Sequence, residues 1–96
     1  MRRKVVKCAR QLGFDAKKEY SNLESLRQYL VANRFPILYL NLLFIDGIDS
    51  VHAMVAIGIN EKLIAVIDPL EGHRALPLTA FEKSWEMLNN LAIVVW

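Results

Sequence analysis

His52 and Asp68 are the residues whose type and spacing could do chemistry beyond holding a fold. They stand near the two ends of VHAMVAIGINEKLIAVIDP, residues Val51 to Pro69, a stretch otherwise rich in apolar, β-branched and small side chains. Val51–Ile59 and Leu63–Ile67 read as two strands of a hairpin with both faces covered. An imidazole and a carboxylate in that setting are out of place by burial statistics. Their registry depends on the turn. A three-residue turn at Ile59-Asn60-Glu61 sets Gly58 opposite Lys62, and then Ala56 faces Ile64, Met54 faces Val66 and His52 faces Asp68, all on one side. A two-residue turn sends His52 and Asp68 to opposite sides. In the first arrangement the carboxylate can hold the tautomer of the imidazole and stabilise its charged form, the base-and-orienter half of a nucleophilic triad. The alternative is a structural hydrogen bond at the end of a sheet.

The elements that must position this pair follow from the rest of the chain. Arg2–Leu12 reads as a helix with Val5, Ala9 and Leu12 on one face, stopped by Gly13. It has no Ser, Thr, Asp or Asn cap, and Arg2, Arg3 and Lys4 crowd the positive end of its dipole, as in a helix entered partway. Ala16–Tyr20 is expected as an edge strand guarded by Lys17 and Lys18. Ser21-Asn22-Leu23-Glu24 forms a capping box that opens a helix to about Asn33, with Leu23, Leu26, Leu30 and Val31 as its buried stripe. Phe35-Pro36 breaks the helix, and Ile37–Phe44 follows as a strand. Ile45–Ser50 is a turn-rich loop. Beyond Asp68-Pro69, Leu70–Arg74 reads as a loop containing an exposed His73, and Ala75–Leu78 as a short strand. Thr79-Ala80-Phe81-Glu82 is a second capping box, opening a helix that buries Phe81, Trp85 and Leu88. Asn89-Asn90 ends it, and Leu91–Trp96 is a final buried strand. The sum is one α+β domain over residues 1–96, an antiparallel sheet of four or more strands packed with two or three helices.

Composition narrows the function. At 96 residues, 54% hydrophobic and 23% charged, the chain suits one ordered core. The N-terminus carries no secretory signal, and the longest apolar run, Ile37–Ile45, contains Asn41 and falls far short of the ~20 residues of a spanning helix, so a cytoplasmic location is expected. A single cysteine, Cys8, excludes an intrachain disulfide and a cysteine-based metal site, and nothing in the spacing of His52, His73 and Asp68 favours a metal. No cofactor is implied. Net charge is +2, but residues 1–34 hold nine Lys/Arg against three Asp/Glu while residues 35–96 hold three against seven. That basic run has no interleaved aromatics, which argues against nucleic-acid contact and for a solvated helix face.

The order of these parts resembles the papain-like cysteine peptidases that remove double-glycine leaders, found at the N-terminus of bacteriocin-exporting ABC transporters, and their stand-alone relatives. The residues that carry it are SNLESLRQYL, FPILYLN, VHAMVAIGI, LIAVIDP and LTAFEKSW, covering the chain from about Val5 onward. The resemblance implies a papain-like fold with His52 as general base and Asp68 as its orienter. It also implies a nucleophile in a Cys-Gly-Pro segment opening an N-terminal helix, with a glutamine shortly before it that helps bind the oxyanion. Neither occurs here. The chain therefore looks like the C-terminal part of that fold, lacking the nucleophile helix. Cys8 lacks the following Gly-Pro and sits mid-helix, where cysteines are usually packing residues, although Lys4, Lys7 and Arg10 could lower its pKa.

Two functions stand on these residues. One is a peptidase-like domain acting on a peptide or protein, inactive by itself without the cysteine and oxyanion hole. The other is a non-catalytic peptide- or protein-binding module of degenerate papain-like fold. In either case, apolar surface left by the missing helix is expected to support a homodimer.

Overall fold

The computed structural model describes residues 16–95. In chain order these form β1 (Ala16–Tyr20), α1 (Leu23–Val31), β2 (Ile37–Asn41), α2 (Leu43–Asp46), β3 (Val51–Ile59), β4 (Leu63–Asp68), β5 (Gly72–Pro77), α3 (Leu78–Glu86) and β6 (Leu91–Val95). The strands make one six-stranded sheet in the order β1-β6-β2-β3-β4-β5, antiparallel throughout. The α+β class and the antiparallel sheet agree with the sequence reading. The expected helix over Arg2–Leu12, with Cys8, lies outside the described residues.

β1 is an edge strand as expected, with Lys17 and Lys18 exposed along it. The helices show where local chemistry was misjudged. The cap of α1 is Asn22, whose side-chain oxygen accepts from the Ser25 N–H at 2.8 Å, so the Ser21–Glu24 box is displaced by one residue. The helix stops at Val31 and closes with Asn33 at φ 58, where Asn33 N–H bonds the Leu30 carbonyl and Arg34 N–H the Tyr29 carbonyl. Leu26 is buried and Leu23 and Leu30 partly so, but Val31 is 86% exposed and leaves the expected stripe. α3 begins at Leu78 with Pro77 at the cap position, which has no side-chain acceptor, and the Leu78 N–H donates to the Lys62 carbonyl in the β3–β4 turn. Thr79 lies inside the helix and is not its cap. Asn89 and Asn90, at φ 55 and 56, end that helix region as expected.

α1 and α3 pack on one sheet face, where Leu26, Phe81 and Trp85 meet Leu38, Leu40, Met54, Ala56, Ile64, Val66 and Leu76. Phe81 and Trp85 stack with centroids 5.3 Å apart, and the buried Trp85 N–H donates to the Leu91 carbonyl. The opposite face is buried over β6 and β2, where Tyr39, Leu91 and Ile93 cluster. It is not covered over β3–β4. Val51, Leu63 and Ile67 are 54%, 41% and 37% exposed there, so the expectation that both faces of the hairpin are covered fails. An apolar run reports a tolerance for burial and not which neighbour supplies it.

The β3–β4 register is the part of the fold on which the site rests. Asn60 N–H bonds the Leu63 carbonyl, and Asn60 Oδ1 accepts from the Lys62 and Leu63 N–H groups at 2.8 Å. These bonds close a two-residue turn at Glu61-Lys62, not the three-residue turn at Ile59-Asn60-Glu61. Near the turn Ile59 pairs with Ile64 and Gly58 with Ala65. Continued unchanged, that register would put His52 and Asp68 on opposite faces. The register shifts between Ala56 and Gly58, however, and Ala56 then pairs with Val66 and Val55 with Ile67. Ile57 is the extra residue of a β-bulge. It restores the alternation, so Met54, Ala56 and His52 share the helix-covered side with Val66 and Asp68. Continuing the shifted register sets Asp68 across from Met54 and His52 diagonal to it, rather than directly opposite.

Removing the bulged residue should leave a regular ladder with the same two-residue turn and the same pairing from Ala56 downward. Deletion of Ile57 is therefore expected to be tolerated, at a cost of about 1–2 kcal/mol in urea unfolding. The contact between His52 and Asp68 should persist in nuclear Overhauser spectra, and its loss would show that the bulge does more than set register.

Candidate active site

His52 leaves β3 near its start, opposite Leu40 of β2, and Asp68 ends β4 just before Pro69, which cannot donate to the ladder. His52 Nε2 lies 2.8 Å from Asp68 Oδ1. Their side chains are 19% and 3% exposed. Asp68 Oδ1 also accepts the Leu70 N–H at 2.8 Å, a bond that folds the chain back from Pro69 into β5. Burial by itself would raise the Asp68 pKa. The hydrogen bond from His52, the N–H of Leu70, the charge on His52 and the N–H of Glu71 together outweigh it and hold Asp68 at about 2.

An ionised carboxylate accepts and cannot donate, so Nε2 must carry the proton on this bond. In the neutral ring the lone pair is then on Nδ1. The geometry thus fixes the tautomer of His52 and leaves one defined nitrogen to take a proton.

A second pair backs the first. Arg74 of β5 grips Asp46 of α2 through two hydrogen bonds, Nη2 to Oδ1 at 2.7 Å and Nη1 to Oδ2 at 3.0 Å. The same Nη1 stands 3.5 Å from Asp68 Oδ2. This hydrogen bonding from Arg74 leads the effects that hold the Asp46 carboxyl below its ordinary range. Four ionisable side chains from β3, β4, β5 and α2 thus converge at one end of the sheet.

Arg74 and Asp46 fall in segments that the sequence marks as loops, Leu70–Arg74 and Ile45–Ser50, so residue type alone does not single them out. β5 starts at Gly72, three residues earlier than expected, with Gly72 at φ 80 permitting a sharp entry that Leu70–Arg74 disguised as irregular chain. The available signal was parity. Arg74 and Leu76 alternate with His73 and Ala75, and Arg74 shares the side of the buried Leu76. His73 is exposed as expected, though on a strand and paired with Ile67. β2 stops at Asn41, not Phe44: the Asn41 side chain accepts the Leu43 N–H and donates to Asp49, turning the chain into α2. That turn carries Asp46 to the site. Among the described residues no cluster of His, Cys, Asp and Glu is arranged to hold a metal ion.

No protein-family model matches the chain, and no curated protein matches it. A crystal structure of a Bacillus anthracis protein described as a C39-like peptidase does match, with a TM-score of 0.73 over 84% of this chain at 20% identity. The match covers 50% of that protein, so this chain spans about half the length of the structure it resembles. The shared feature is the fold, that of a C39-like peptidase. No helix among the described residues is long and apolar enough to cross a membrane.

The depressed Asp68 pKa links the site to stability. The carboxylate contributes fully above its ordinary value of 3.8, and the contribution is lost as pH falls through about 2. Asp68→Asn is expected to destabilise the protein at pH 7 by about 1–2 kcal/mol, less than the full shift would give because the amide oxygen can still accept from His52 and the Leu70 N–H. Urea unfolding of both proteins across pH should show the difference shrinking toward acid; a constant gap would refute the charge-based account.

Proposed function

We propose that this chain is a cysteine-peptidase-like domain carrying the His/Asp part of a Cys-His-Asp centre. His52 is the general base and Asp68 its orienter. The observation that carries the reading is the 2.8 Å bond from His52 Nε2 to a carboxylate only 3% exposed, which leaves Nδ1 as the basic nitrogen. In the reaction Nδ1 takes the proton of a cysteine thiol, and the thiolate attacks the scissile peptide carbonyl. The imidazolium returns that proton to the departing amine, and water, deprotonated by the same nitrogen, then hydrolyses the thioester. The sequence has no Cys-Gly-Pro segment, so the cysteine comes from further chain, from another protein, or from Cys8. Peptides with a double-glycine leader are the substrate class that the motif order suggests, and the cytoplasm is the expected setting.

A second reading, peptide binding without cleavage, has its own support. Exposed apolar side chains flank the dyad: Leu70 beside Asp68, and Leu43, Phe44 and Ile48 around Asp46. Such a rim suits an apolar peptide segment. For the chain as given, we propose that binding occurs and cleavage does not.

A labelled double-glycine leader peptide should bind in fluorescence anisotropy and remain intact in mass spectrometry. Cleavage by the chain alone would overturn the predicted inactivity, and Cys8→Ser would then show whether Cys8 supplies the thiol. Where a cysteine is supplied, His52→Ala should cut turnover by about 10²–10⁴. Self-association is proposed through the half-exposed face of β3–β4, where Val51, Leu63 and Ile67 lie. Pairing two such faces would bury these apolar side chains. Sedimentation should show a dimer that Ile67→Glu dissociates, and a concentration-independent monomer would refute it.

A further inference from the structure

Arg74 has a position that a loop staple does not need. It is held by two bonds to Asp46, yet its Nη1 is shared with Asp68 Oδ2 at 3.5 Å. The other oxygen of Asp68 is already committed to His52 and the Leu70 N–H. Arg74 therefore limits rotation of the carboxylate that orients the imidazole. A lone guanidinium there would also compete with His52 for the charge of Asp68. Asp46 offsets that competition, since the pair Arg74–Asp46 carries no net charge.

We propose that Arg74 and Asp46 form a charge-neutral positioning pair that fixes the Asp68 carboxylate and, through it, the ring of His52. This rests on the reading of His52 as the general base, but the pair's effect on the imidazole exists whether or not a peptide is cut. The charged groups facing His52 are Asp68 on β4, Arg74 on β5 and Asp46 on α2. β2 places Leu40 and Asn41 beside it, neither charged, and from α3 the ammonium of Lys83 lies over the Phe44 ring at 5.8 Å from its centroid. Arg74 is an arginine for a geometric reason. Its planar fork meets both oxygens of Asp46 while one nitrogen still reaches Asp68, which a lysine ammonium does not reproduce.

The test is the pH titration of the His52 ring by NMR. Arg74→Gln removes a positive charge and leaves Asp46 uncompensated, so the His52 midpoint should rise by roughly half a pH unit or more. Asp46→Asn leaves Arg74 uncompensated, so the midpoint should fall by a similar amount. The double variant should return close to the unaltered protein. Single variants that move the midpoint the same way, or not at all, would show that the pair does not act on His52 and would overturn the proposal. Arg74→Lys guards against a folding defect. It keeps the charge and loses the fork, so it should hold the midpoint within about 0.3 unit of the unaltered protein while broadening the ring resonance. A midpoint displaced as in Arg74→Gln would also overturn the proposal. No peptide is involved, so absence of peptidase activity leaves this result intact, and a failed titration leaves the peptidase reading to be judged on its own assay.

Discussion

The bond between His52 and Asp68 constrains the architecture more than any other single contact. A hydrogen bond of 2.8 Å between short side chains on neighbouring strands requires both to project from the same side of the sheet. Strands alternate with period two, so the number of residues between the pair, counted through the turn, must have the right parity. The two-residue turn at Glu61-Lys62 gives the wrong parity, and the bulge at Ile57 corrects it. The buried side chains obey the same correction. Met54 and Ala56 below the bulge and Ile59 above it all face the helices, which no regular strand would allow. Core packing and site geometry are therefore solved by one irregularity, and neither can change register without the other.

Around that bond the polar groups are placed so that burial is compensated. A carboxylate this deeply covered would ordinarily be driven toward its neutral form. Here its oxygens are engaged by an imidazole, backbone N–H groups and, at longer range, a guanidinium, so ionisation is favoured. The source of each partner is informative. Leu70 follows from the reversal forced by Pro69, Arg74 from the entry into β5, and Asp46 from the turn begun by the Asn41 side chain. The turn after Pro69 supplies backbone N–H donors to the carboxylate, while the strands supply the pair itself and Arg74.

Much of this was legible in the residues, for reasons that also explain what was not. His52 and Asp68 stood out because charged groups at the ends of an apolar hairpin contradict their surroundings. The expected turn was wrong, but the three-residue turn and the two-residue turn with a bulge leave the same side-chain parity, so the pair was still placed together. The bulge had no mark of its own, since Gly58 does not adopt a left-handed backbone and any residue could follow Ile57. Capping was misjudged where alternatives competed. Asn22 outbid Ser21 at α1, and at α3 Pro77 holds the cap position in place of Thr79. Arg74 was missed because Pro69 and Gly72 made a strand entry look like a loop.

The separation of these contacts along the chain bears on how the site forms. His52 and Asp68 are 16 residues apart and belong to one hairpin, whereas Arg74 and Asp46 are 28 apart and bring in a second loop. Asn90 and Ser21, which tie β6 to the start of α1, are 69 apart. Closing a short loop costs less entropy than closing a long one, and hairpins form on microsecond timescales. The imidazole and its carboxylate can thus meet early in folding, before the β1–β6 edge of the sheet is in place. The persistence of that pairing then depends on α1 and α3 covering the same side of the hairpin, which alone would be marginal in water.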